Sequence, residues 1–198
     1  MFKTREIRWF SRAKDRHIIA WFAGKGLDFE TAESRTDHYL PLPQKEDTGI
    51  KLREGRLEIK QRTTGPEKAK IAPNAEGYFE EYVKWSFGIA KTDVLAKEIV
   101  RENKYDWIKV EKKRLGLNLV KENGQLNFRK LDEETDSACQ MEYTKIEVNA
   151  EQWFSFGLEW FGEEFIEPGA GLISEITGST KLGLRSSMGY AEFLNSEL

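Results

Sequence analysis

Basic residues recur in pairs two positions apart along this chain: Lys51 and Arg53, Lys60 and Arg62, Lys112 and Arg114. Lys84 sits in a further stretch of the same alternating kind. Glutamates recur there too, at Glu58, Glu80, Glu142 and Glu159, although strands are depleted of glutamate. A spacing of two puts both members of a pair on one face of a strand. Turned toward a shared hollow, such residues suit a phosphate–metal complex. Lysine and arginine hold phosphate oxygens, arginine in bidentate fashion, and carboxylates hold a hard divalent ion that bridges the phosphates. Turned toward water, the same residues are the solvated side of an antiparallel sheet, which is the commoner arrangement.

The elements that carry them read mainly as strands. "GIKLREGRLEIKQRT", Gly49 to Thr63, alternates Ile50, Leu52, Leu57 and Ile59 with charges and turns at Glu54-Gly55, a hairpin. "REIRWFS" and "TDHYLPLP" read as extended segments, and "YFEEYVKWSFGI" as a strand with Glu80, Tyr82 and Lys84 on one side. "DWIKVEKKRLGLNLV" and "GQLNFRKL" are joined at Asn123-Gly124, a strong hairpin signal. In the first of these, Lys112 and Arg114 compete with Lys109, Glu111 and Lys113 for the functional face. "CQMEYTKIEVN" and "WFSFGLEWFG" read as another hairpin. "RAKDRHIIAWFAGKG" and "KTDVLAKEIVREN" read as helices, the second capped by Thr92 or Asp93. "TTGPEKAKIAPNAEG" is rich in turn residues and reads as a loop, and the tail from Gly171 as loop and short helix.

About eight strands and two or three helices imply an α+β fold in one domain spanning 1–198: an eight-stranded antiparallel β-barrel, or tunnel, with helices packed outside. If the apolar strand faces pack outward against helices such as Thr92–Asn103, the ionic faces line the interior. An unpaired buried ion costs several kcal/mol, so such a lining persists only if it is wet, internally paired or filled by ligand.

With 31 basic and 34 acidic residues the formal net charge is -3, so any anion site is local and a nucleic-acid partner is not expected. Cys139 is the single cysteine, which excludes an intrachain disulfide and a cysteine-based zinc cluster and points to a reducing compartment, the cytoplasm. The chain has no apolar run of about 18 residues and "MFKTREIRWFSRAKDRH" lacks the core of a signal peptide, so no membrane partner is expected.

"TDHYLPLPQKEDTGIKLREGRLEIKQR" resembles the early part of CYTH-domain proteins, the triphosphate tunnel metalloenzymes, through Asp37-His38-Tyr39, Leu52-Arg53 and Leu57-Glu58-Ile59-Lys60. "VEKKR" resembles the later Lys-x-Arg strand of that family, and "MEYTKIEV" and "GLEWFGEE" its late glutamate-bearing strands. The resemblance covers about two thirds of the chain and implies a tunnel that binds triphosphates with Mg²⁺ or Mn²⁺. The first motif departs from it. Where the family has Glu-x-Glu-x-Lys, this chain has Glu6-Ile7-Arg8-Trp9-Phe10, so one carboxylate has become a cation and a phosphate-binding ammonium is gone. Arg8 then either replaces the lysine as a phosphate clamp or pairs with Glu6.

These observations name Arg8, Lys51, Arg53, Lys60, Arg62, Lys84, Lys112 and Arg114 as ligands of a small phosphorylated anion. Glu6, Glu58, Glu142 and Glu159 are the metal candidates, Glu58 alternatively pairing with Lys60 or Arg53. Glu142 and Glu159 are also the candidates for a general base. One expected function is metal-dependent hydrolysis of a triphosphate. The other is a non-catalytic anion-binding protein with the same tunnel and a degraded metal site. A third arrangement, an open sheet with a wet ionic face, would hold no anion. His17, His38 and Cys139 have no partners placed for catalysis, the aromatic cluster Trp153–Phe161 reads as core, and the glycine patterns lack a P-loop's Gly-Lys-Ser/Thr ending.

Overall fold

The computed structural model describes residues 2–90, 92–100, 102 and 106–197. Ten strands form in chain order: β1 Phe2–Ser11, β2 Ser34–Leu40, β3 Thr48–Arg53, β4 Arg56–Arg62, β5 Glu67–Ala72, β6 Ala75–Gly88, β7 Ile108–Glu122, β8 Gln125–Lys130, β9 Ala138–Val148 and β10 Glu151–Phe161. The helices are α1 Arg16–Ala23, α2 Val94–Val100, α3 Gly169–Thr177 and α4 Tyr190–Glu197. Eight strands close a ring in the order β1, β10, β9, β7, β2, β3, β4, β6, and β6 returns to β1. Every pairing is antiparallel, and the seam is short, running from Phe2 opposite Lys84 to Glu6 opposite Glu80. The eight-stranded antiparallel barrel expected from the alternation is therefore closed.

Tight turns set the local registers. Glu54-Gly55 and Asn123-Gly124 both have positive φ at each position, the geometry of a two-residue hairpin whose twist matches the flanking strands. Asn149-Ala150 does the same between β9 and β10, without a glycine. α1 starts where the Asp15 side chain accepts from the His17 and Ile18 amides and ends at Gly24.

The apolar strand faces look outward. Ile7 and Trp9 of β1 and Phe156, Leu158 and Trp160 of β10 pack with Ile18 and Phe22 of α1 and Ile173 and Ile176 of α3. On another side Leu52 of β3 and Leu57 of β4 meet Ile99 of α2 and Trp107. One end of the ring is filled: α4 lays Phe193 and Leu194 among Phe10, Val110, Ile146, Val148 and Trp153, with Phe193 stacked on Phe10 at 4.0 Å.

Three expectations need correction. The stretch from Thr63 to Gly77 is not a loop: it holds β5, a two-residue turn at Pro73-Asn74 and the start of β6, with Ala72 facing Ala75. Its prolines, Pro66 and Pro73, flank β5, Gly77 lies inside β6 opposite Ala69, and β5 pairs with β6 outside the ring. The described residues form ten strands rather than about eight, the eight of the ring plus β5 and β8, which are flaps on β6 and β7. Among the described residues there are four α-helices, since the tail folds into α3 and α4, and of the expected helix over 91–103 the structure describes α2, with Lys91, Arg101 and Asn103 outside the described residues. No described helix is long and apolar enough to cross a membrane.

Candidate functional site

The inward strand faces surround a cavity of about 130 Å³, roomy enough for several waters or a small anion. Every residue named from the sequence as an anion ligand or metal candidate lines it except Arg62. Arg62 lies on the same strand face but pairs with Glu80. Lys112 and Arg114 point inward, while Lys109 pairs with Glu111 on the outside and Lys113 donates to the Phe29 carbonyl.

The lumen has two unlike sides. On the β1–β10–β9 side each carboxylate is matched by cations. Arg8 is buried and donates through Nη1 to Glu142 Oε1 at 2.6 Å and to Ser155 Oγ at 3.3 Å. The other Glu142 oxygen accepts from Arg114 at 3.3 Å and from Gln140 at 3.2 Å. Arg8 fits because its register partner is Gly157, where a Cβ would lie 2.8 Å from the guanidinium carbon. Glu6 faces Glu159 across β1 and β10, and the Lys60 ammonium lies between them, 2.6 Å from Glu6 and 3.6 Å from Glu159. Three cations thus meet three carboxylates.

On the β2–β3–β7 side the balance tips. Asp37 is fully buried and takes a fork from Arg53, Nε to Oδ1 at 2.7 Å and Nη2 to Oδ2 at 2.9 Å. Lys112 lies 3.1 Å away, Arg35 3.5 Å and Lys51 3.9 Å. Glu58 is held by Lys51 at 2.9 Å and Lys84 at 3.2 Å. Arg35, Lys51, Arg53, Lys84 and Lys112 therefore share two carboxylates, and the buried Arg35 Nε has no hydrogen-bond partner. Tyr39 and Tyr190 stack below, with the Lys112 ammonium 3.7 Å from the Tyr190 ring centre.

Burial raises the Asp37 carboxyl's pKa, but Lys112, the Arg53 hydrogen bond and Lys51 overcome it and hold the group well below the carboxylate range. Burial is likewise outweighed at Glu142 by Arg8 and Arg114, and at Glu58 by Lys51, which brings Glu58 to about 2. Lys51 is pushed down to about 7, by burial and then by Arg53, against the pull of Asp37 and Glu58. Burial, with help from Lys51, Arg53 and Arg35, pushes Lys112 well below a lysine's ordinary value despite Asp37. Asp37 keeps its charge because the Arg53 fork is permanent. Lys112 holds its proton less tightly than a free lysine, first because its ammonium is buried and then because Lys51, Arg53 and Arg35 crowd it.

No protein-family model matches the chain, and no curated protein matches it. Solved structures similar to it include two from Pyrococcus. The PH1012 protein from Pyrococcus horikoshii OT3 is 17% identical with a TM-score of 0.42, covering 92% of this chain and 93% of its own. A conserved hypothetical protein from Pyrococcus furiosus is 15% identical, also with a TM-score of 0.42, covering 96% of this chain and 98% of its own. Likeness at that level carries no functional argument, and the barrel stands on its strand pairings alone.

The lumen does not fit the divalent ion that the resemblance implies. Among the described residues no group of three His, Cys, Asp or Glu comes together to hold a metal. Glu6 and Glu159, opposite each other in register, already share the Lys60 ammonium. Glu142 is held by two arginines, and a carboxylate kept so far below its ordinary pKa is a weak general base. Two expected pairings differ from the observed ones: Arg8 meets Glu142, not Glu6, and Glu58 meets Lys51 and Lys84, not Lys60 or Arg53. The sequence reading singled out neither Arg35 nor Asp37 as a site residue. Both carry a signal, since Arg35, Asp37 and Tyr39 alternate on one face and aspartate is rare in strands. Tyr190 reaches the lumen from the distant α4 and carries none.

Proposed function

We propose that the protein binds a small multivalent anion of phosphate chemistry in the barrel lumen, on the Asp37 side, without a divalent metal. The observation that carries this is local charge: five basic side chains, two of them arginines that keep their charge, share two carboxylates inside a chain whose net charge is -3. Removed from bulk water, like charges at this spacing repel, and an anion with several oxygens relieves that repulsion by accepting from Arg35, Lys51 and Lys84 at once. The CYTH resemblance supports a triphosphate as the first ligand to try. Of the two expected functions, the binding protein is favoured, because the carboxylates a hydrolytic metal would need are engaged by lysine and arginine.

Calorimetric titration of the metal-free protein with tripolyphosphate, pyrophosphate and orthophosphate tests the proposal. Binding that strengthens with anion charge and does not require Mg²⁺ or Mn²⁺ is the expected result. Phosphate release that appears only with either metal would replace this reading with the hydrolytic one, and no binding of any anion would remove both.

A further inference from the structure

Lys112 differs from its neighbours in the lumen wall by how its ammonium is surrounded. It is buried, and its amine donates to the Tyr39 hydroxyl at 2.7 Å and sits 3.1 Å from Asp37. From β2 it faces Arg35, Asp37 and Tyr39; from β3, Lys51 and Arg53; from α4, the Tyr190 ring. Arg114 on its own strand is drawn to Glu142 of β9, and Arg8 of β1 lies 5.0 Å from the centre of that same Tyr190 ring. One carboxylate thus serves Lys112, and three other cations lie beside that carboxylate. Arg35 and Arg53 cannot release their charge, so a lysine is where the crowd sheds a proton.

We propose that anion binding at the Asp37 cluster is coupled to uptake of a proton by Lys112, so that the pocket holds its ligand more tightly as the pH falls. The inference rests on the anion-binding reading above. An entering anion supplies the missing negative charge, the ammonium form of Lys112 becomes the favoured one, and linkage requires that affinity decline as pH rises through the titration of the empty pocket. Burial and the neighbouring cations lower the lysine in the empty protein, which places that titration well below a free lysine's.

The test uses methanedisulfonate, a compact dianion that stays fully ionised, so that any proton taken up belongs to the protein. Calorimetry in buffers of different ionisation enthalpy, between about pH 6 and pH 9, should show net uptake and an affinity that falls by up to about tenfold per pH unit. In Lys112→Arg, whose charge is fixed, and in Lys112→Met, the uptake should disappear. Lys51 is the competing source, being itself lowered to about 7; uptake that persists undiminished in the Lys112 variants overturns the proposal. A ¹³C NMR titration of the Lys112 side chain in the unaltered protein reads the same question without a substitution, and an ammonium that stays charged through this range when the pocket is empty overturns it. Binding with no proton uptake sinks this inference alone, whereas no binding of methanedisulfonate or of tripolyphosphate at any pH sinks the anion-binding reading and the coupling with it.

Discussion

The two sides of the lumen are built by the same strand alternation from the same residue types, yet they do different physical jobs. On the β1–β10–β9 side, Arg8, Arg114 and Lys60 are answered by Glu142, Glu6 and Glu159. Desolvation and Coulomb attraction nearly cancel in such buried pairs, so they contribute less to stability than to fixing which strand faces which. On the β2–β3–β7 side the basic residues outnumber the carboxylates, with Arg35, Lys51, Arg53, Lys84 and Lys112 gathered on Asp37 and Glu58. The difference teaches that a charged lining is not by itself a binding site. The local excess of one sign is what a ligand can use.

The largest expected effect comes from Asp37→Asn, which removes the hub of the cationic side. Uncompensated buried charge costs about 3–5 kcal/mol, so urea unfolding should shift by that order, and tripolyphosphate should restore part of it. If the variant is as stable as the original, the cationic side is not under electrostatic stress.

Next, Arg35→Met and Lys60→Met should separate the two sides. The first removes a charge-assisted donor worth about 1.5–3 kcal/mol and should weaken tripolyphosphate binding tenfold or more with little loss of stability. The second strands Glu6 opposite Glu159 and should lower stability with little change in affinity. Equal effects of the two on affinity would erase the distinction. Gly157→Ala, which pushes a methyl into the Arg8 guanidinium, should cost about 1–3 kcal/mol in thermal or urea unfolding and leave the cationic side's affinity intact.

The smallest effect concerns acid. Glu58 is held at about 2 in the folded protein, below the 4.5 of an ordinary glutamate. A group lowered on folding stabilises fully above its unfolded pKa and loses that contribution as pH falls through the folded one, so Glu58's share should fade between about pH 4.5 and 2. Tryptophan fluorescence followed during acid titration checks this, and Glu58→Gln should flatten the slope in that window.

Much of the barrel was legible because period-two alternation and turn chemistry are local. Glu54-Gly55 and Asn123-Gly124 mark their hairpins from the residues alone, and the inward ionic set follows from Lys51, Arg53, Glu58 and Lys60. The Glu54-Gly55 turn even contains the Lys51–Glu58 pair, since a two-residue turn puts those positions directly opposite; counting back from it would have corrected the expected partner. What was not legible depends on how the ring closes. Arg8 finds Glu142 two strands away, and Asp37 gathers cations from β3 and β7, through registers that no short stretch contains. β5 was hidden for the opposite reason, because its turn residues outweighed the brief alternation of "EKAKIA".

The seam at β1 has a consequence for how the molecule is made. β1 leaves the ribosome before the other strands of the ring, but its neighbours are β6 and β10, both much later in the chain. A nascent chain lacking β10 has an open edge on β1 and on β9, and Arg8 and Glu142, which meet across β10, are not yet held together. Partners this far apart along the chain make for slow folding and for a period of exposure to wrong association. Synthesis rate and chaperone access during that interval should therefore govern the yield of folded protein more than any single contact within the finished ring.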